Sequence, residues 1–125
     1  VAFGKHIETV GFDLNEYKLE KYRMGVDPSG EVSAADLAAA KRLVFTNDPA
    51  ALANCDFIIV VVPTPIDTAY VPDLSALCGA CRTVGKNMSP GTTVIFESTV
   101  YPGCTEEVCV PILEQASKMK WSETN

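Results

Sequence analysis

The segment Phe57-Ile58-Ile59-Val60-Val61-Val62 constrains this chain more than any other, being six successive apolar residues with no polar interruption. A strand with one wet face alternates apolar and polar residues, because successive side chains point to opposite sides. An unbroken run reads instead as a strand buried on both faces, the kind found in parallel sheets with helices on either side. It is also the longest apolar stretch, far short of the roughly 20 residues a membrane helix needs. No membrane span is therefore expected.

The remaining segments alternate between short β-branched runs and helical patterns. Thr9 to Leu14 reads as a strand carrying an acid, Asp13, near its end. Asn15 then opens a helix through Met24, with Leu19, Tyr22 and Arg23 at helical spacing and Gly25 as the stop. Val26 to Val32 is turn-rich, around Asp27-Pro28-Ser29-Gly30. Ser33 with Asp36 resembles a capping box for a helix reaching Lys41 or Arg42. Leu43 to Thr46 is a short strand, and Asn47-Asp48-Pro49 caps a brief helix. After the loop Pro63 to Pro72 come a helix from about Asp73 to Met88, a second buried strand over Thr92–Phe96, and a last helix from about Thr105 to Met119. Val1 to Lys5 reads as the stump of a helix, with Gly4 at its carboxyl end. Strands alternating with helices, one of them apolar throughout, predict an α/β fold with a Rossmann-like doubly wound parallel sheet.

Composition narrows the class. The 125 residues suit one domain, and 47% hydrophobic with 21% charged residues is globular rather than disordered. A net charge of −6 repels phosphate backbones and argues against nucleic acid as a partner. Five cysteines, an odd number, argue against a closed disulfide framework. With no basic-then-apolar leader at Val1, they point to the cytoplasm.

In doubly wound folds ligands bind beyond the carboxyl ends of the strands. Asp13 stands at such an end, where an acid accepts hydrogen bonds from adenosine ribose hydroxyls and repels the 2′-phosphate of NADP. The plainer alternative is that it caps the next helix. Val62-Pro63-Thr64-Pro65 follows the most apolar strand; its prolines hold the Thr64 hydroxyl on a stiff extended loop, or simply end the strand. Glu97-Ser98-Thr99, followed by Tyr101-Pro102-Gly103 and a helix start, suits a water or an anionic group, or ordinary capping. Cys78 and Cys81 have redox spacing but lie inside a predicted helix, where core packing explains them better. Cys104 and Cys109, five apart with no histidine nearby, do not make a zinc site, so no metal is expected. His6 reads as a surface residue, and Lys118 to Lys120 as solvated charge.

Taken together, Thr9-Val10-Gly11-Phe12-Asp13-Leu14-Asn15, Val62-Pro63-Thr64-Pro65-Ile66-Asp67, Pro72-Asp73-Leu74 and Glu97 through Glu107 resemble the NAD-binding portion of the UDP-glucose/GDP-mannose dehydrogenase family. Within it, the chain looks most like the branch acting on UDP-N-acetylhexosamines, the Vi-polysaccharide and O-antigen type. The resemblance implies oxidation of a sugar C6 alcohol to the aldehyde and then, through a thioester on an enzyme cysteine, to the carboxylate. NAD is the implied cofactor and a UDP-sugar the substrate, held by a second domain. A cytoplasmic homodimer is the implied assembly. By the same resemblance Asp13 would bind the adenosine ribose with Lys18 nearby, and Thr64 would contact the cofactor. Thr99 would line the junction of nicotinamide and substrate and help position a water.

The family's first strand and glycine-rich turn find no match from Val1 onward, and its catalytic cysteine matches none of the five here. Residues 1–125 are thus expected to be a partial NAD-binding domain of a longer enzyme, inactive alone, with the substrate domain elsewhere. A nucleotide-sensing Rossmann-like module without chemistry and a thiol redox protein are the other classes the residues allow.

Overall fold

Every strand pair among the described residues is parallel. In the computed structural model, which describes residues 1–121, β1 (Thr9–Phe12) runs beside β2 (Leu43–Thr46), with Thr9 opposite Leu43 and Phe12 opposite Thr46. Likewise β3 (Phe57–Val60) runs beside β4 (Thr93–Phe96), with Phe57 opposite Thr93 and Val60 opposite Phe96. The chain divides into two units, Val1–Ala51 and Leu52 onward, and each contains one of these two-stranded sheets. Parallel neighbours need a crossover, which a helix usually supplies. Here α1 (Glu16–Arg23) and α2 (Ala34–Ala39) lie between β1 and β2, and α3 (Ser75–Asn87) between β3 and β4.

In the first unit, local chemistry sets the helix ends. The Asn15 side-chain oxygen accepts from the Lys18 N–H at 3.2 Å and opens α1. Gly25, at φ 76°, adopts the left-handed conformation that stops it. The Ser33 hydroxyl accepts from the Asp36 N–H at 3.1 Å, the N-cap half of the expected capping box, while the Asp36 carboxylate accepts from that hydroxyl at 2.7 Å rather than from the Ser33 N–H. The helix ends at Ala39, short of the expected Lys41, because the chain is already turning: the Arg42 N–H donates to the Gly4 carbonyl at 2.9 Å. Leu19, Leu37 and Ala40 are buried, and Tyr22 stacks on Phe45 with ring centroids 5.0 Å apart.

Gly4 corrects a sequence expectation. Phe3–Lys5 is a single 3-10 turn, and Gly4 does not serve as a helix end. It is buried, and a Cβ there would lie 2.6 Å from Leu43 Cβ. The glycine is needed because backbone sits directly on the start of β2.

The second unit corrects the reading of the apolar run. Its strand stops at Val60, and only one face is covered: Ile58 and Val60 are buried, whereas Phe57 is 68% and Ile59 40% exposed. Ile58 and Val60 share the unit's buried set with Leu77, Cys81 and Val84 of α3 and Leu113 of α4 (Val110–Ser117). Within this unit, among the described residues, no second helical layer covers the opposite face. The expected last helix also differs, since Thr105–Cys109 forms a wide π turn that leads into α4. Pro111 lacks the N–H that would bond the Glu107 carbonyl, so regular α pairing cannot run through this junction.

Candidate functional site

Both carboxyl ends of the paired strands carry polar side chains named from the sequence. In the first unit, the Asp13 N–H donates to the Thr46 carbonyl at 3.2 Å and extends the β1–β2 ladder by one step. One carboxylate oxygen of Asp13 then accepts from the Asn15 N–H at 2.8 Å. This turn, and the Asn15 cap after it, place Asp13 before the helix rather than on its N-cap. The other carboxylate oxygen hydrogen-bonds to no described residue and lies 4.0 Å from Lys18 Nζ. Both side chains are well exposed, so the pair itself contributes little stability. What it offers is a half-neutralised acceptor at a strand end, which suits a hydroxyl-bearing ligand.

In the second unit the structure brings Thr64 and Thr99 together. The Thr64 hydroxyl donates to the Thr99 carbonyl at 2.6 Å. Its one O–H is thus committed, while its oxygen keeps capacity to accept. Next to Thr99 stands Ser98, which the sequence offered within Glu97-Ser98-Thr99 as a holder of a water or an anionic group, or as an ordinary cap. The Glu97 N–H donates to the Val60 carbonyl at 3.0 Å, the last ordinary step of the β3–β4 ladder. The next step would join the Val62 N–H to the Glu97 carbonyl and the Thr99 N–H to the Val62 carbonyl. Instead the Ser98 hydroxyl accepts from the Val62 N–H at 3.2 Å and donates to the Val62 carbonyl at 2.9 Å. The only signal in the sequence was a hydroxyl residue in register with the end of the opposite strand.

The other candidates settle into structural roles. Cys81 is fully buried, and burial, reinforced by Cys109, pushes its thiol up to about 12. Cys109 is raised as well, first by burial. Such thiols are poor nucleophiles, which removes support for a redox role. Cys104 is buried too, and no disulfide joins any of the cysteines. Among the described residues no group of three His, Cys, Asp or Glu side chains is placed to hold a metal. His6 is exposed, and Lys120 pairs with Glu114 at 2.9 Å. The helix start after Tyr101-Pro102-Gly103 is a five-residue π turn with no side-chain cap, and it leads directly into α4. A cleft of about 440 Å³ runs along β4 and α4, past Thr93, Phe96, Val110 and Leu113, but neither Thr64 nor Thr99 lines it.

Parallel strands joined through helices are the plan of the doubly wound α/β class, which binds ligands beyond the carboxyl ends of its strands. The chain belongs to the UDP-glucose/GDP-mannose dehydrogenase family: the family's NAD binding domain matches residues 2–125. It is 47% identical over 123 residues, 98% of its length, to UDP-N-acetyl-D-glucosamine 6-dehydrogenase of Pseudomonas aeruginosa. It is 45% identical over 123 residues to the enzyme of that name from Salmonella typhi. In both comparisons the chain spans 29% of the relative's length. Among solved structures, GDP-mannose dehydrogenase from Pseudomonas aeruginosa superposes with a TM-score of 0.85 at 28% identity, covering 93% of this chain and 28% of that one. UDP-D-ManNAc dehydrogenase from Pyrococcus horikoshii gives 0.80 at 29% identity, covering 94% of this chain and 29% of that one. The Rossmann-like fold class read from the sequence is the fold of these dehydrogenases. NAD is the cofactor of the matched domain.

Proposed function

We propose that residues 1–125 form the NAD-binding part of a nucleotide-sugar dehydrogenase that oxidises C6 of a UDP-N-acetylhexosamine to the uronic acid. UDP-GlcNAc, UDP-GalNAc and UDP-ManNAc are the substrates to test, with UDP-glucose as the competing one. The observation that carries the reading is the free Asp13 carboxylate oxygen at the end of a parallel strand, in a chain 47% and 45% identical to two UDP-N-acetyl-D-glucosamine 6-dehydrogenases.

In this reading Asp13 accepts from the adenosine ribose hydroxyls, and Lys18 balances its charge. Thr64 holds the Thr99 peptide, and the Thr99 side chain faces the junction of cofactor and sugar, where it orders a water. Bound NAD supplies a hydride acceptor. The nucleophilic cysteine and the sugar-binding groups belong to a separate domain of the full-length protein. That protein works as a cytoplasmic homodimer and supplies uronic acids for surface polysaccharide. Nucleic acid has no place in this reading, given the net charge of −6. A membrane span has none either, since no described helix is long and apolar enough to cross one.

The test is NADH formation by the full-length protein with each of the four UDP-sugars. The expected result is two NADH per sugar with an N-acetylhexosamine substrate, as a four-electron oxidation requires. One NADH per sugar, or preference for UDP-glucose, refutes the reading.

A further inference from the structure

The β3–β4 ladder ends in an unusual way. An ordinary ladder would continue through the Glu97 carbonyl and the Thr99 N–H, and both groups would be consumed by Val62. The Ser98 hydroxyl, half-buried between the strands, makes both bonds to Val62 by itself. Among the described residues no group then bonds the Thr99 N–H. The Thr99 carbonyl is held from the other side by the Thr64 hydroxyl at 2.6 Å. One side chain thus replaces two peptide groups, and the strands part without losing their connection. A second hydroxyl fixes the orientation of the peptide that follows.

We propose that Ser98 is a positioning residue for the dinucleotide site: by standing in for one ladder step it frees the Thr99 N–H and turns Thr99 toward a bound cofactor instead of toward Val62. The inference rests on the NAD-binding reading above. A side chain is needed for this task because backbone pairing through Glu97 and Thr99 would close the strands over the very groups that face a ligand. Carboxyl ends of parallel strands are where doubly wound folds bind ligands. A device that ends pairing there leaves donors open at the place a ligand occupies.

Three full-length proteins, wild type, Ser98→Ala and Ser98→Thr, test it through amide exchange, NAD titration and steady-state kinetics. In Ser98→Ala the Val62 amide loses its acceptor and exchanges at least ~10-fold faster. Loss of a positioning hydrogen bond raises the dissociation constant for NAD by about 5-fold or more, and KM for NAD with it, while KM for the UDP-sugar is unchanged. Ser98→Thr keeps the hydroxyl and restores all three values to within about 2-fold. Unchanged Val62 protection in Ser98→Ala, or unchanged NAD affinity, overturns the proposal. If the alanine variant melts below the assay temperature, failure of Ser98→Thr to retain wild-type NAD affinity overturns it equally. A wild-type protein that does not bind NAD defeats the parent reading instead, and Val62 exchange still decides the role of the serine.

Discussion

At the scale of single residues, two side chains carry distinct physical burdens. Asp13 uses one oxygen to hold the Asn15 N–H and keeps the other free beside Lys18. Asp13→Asn retains a carbonyl for that turn but loses the charge. A hydrogen bond to a charged group contributes about 1.5–3 kcal/mol, so NAD affinity of the full-length protein should fall ~10- to 100-fold. Affinity for NADP should fall less, because the repulsion of its 2′-phosphate goes as well; calorimetric titration with both cofactors measures the difference. Cys81 bears the opposite burden, a thiol raised to about 12 by burial. An unfolded thiol ionises near ~8.5, so above that pH the unfolded chain loses a proton that the folded chain keeps. Stability from Cys81 is therefore complete below pH ~8.5 and is lost as pH rises toward about 12, at no more than ~1.4 kcal/mol per pH unit. Urea melts of wild type and Cys81→Ala between pH 7 and pH 11 should show a shallower alkaline loss in the variant. Equal slopes would refute this.

At the scale of elements, α3 separates two glycines that look alike in the sequence. A Cβ at Gly79 meets no atom within 4 Å, whereas one at Gly85 would lie 2.8 Å from Ala116 Cβ and 3.0 Å from the Leu113 carbonyl. Alanine is favoured over glycine in a helix by up to ~1 kcal/mol, so Gly79→Ala should raise the melting temperature. At Gly85 overpacking costs about 1–3 kcal/mol, outweighs that gain, and should lower it. Thermal melts of the two variants decide; a rise in both would mean that α3 and α4 separate readily. The helix caps were legible because they are local: Asn15 and Ser33 bond groups three residues away. Gly85 was not, because its partner lies some thirty residues along the chain.

At the scale of the whole molecule, the described residues form two parallel pairs, and the sequence holds no Gly-x-Gly-x-x-Gly turn. That turn supplies the N–H groups that hold the pyrophosphate of a dinucleotide. In the reading proposed above, Asp13 accepts from the ribose and Thr99 faces the far end of the cofactor, and neither is assigned the pyrophosphate. The 125-residue chain by itself should therefore bind NAD with a dissociation constant well above ~1 μM, and calorimetric titration giving micromolar or tighter affinity would refute this. Strands paired on one side only also leave backbone edges open to other chains, so sedimentation should show concentration-dependent association. A monomer at all concentrations would argue that those edges are protected.

Strand and helix order, the parallel class, the capping pairs and the placement of Asp13 and Thr99 at strand ends all followed from the sequence, because each depends on periodicity or on groups a few residues apart. The depth of burial of Phe57–Val62 did not: a run of apolar residues states what a strand tolerates, while the layers actually present decide which face is covered. Nor did Gly4 against Leu43, the wide turn before Pro111, or the Ser98 bridge to Val62, since each is set by where distant backbone arrives. Local chemistry is written in order along the chain; steric contact and ladder endings exist only once separate segments meet.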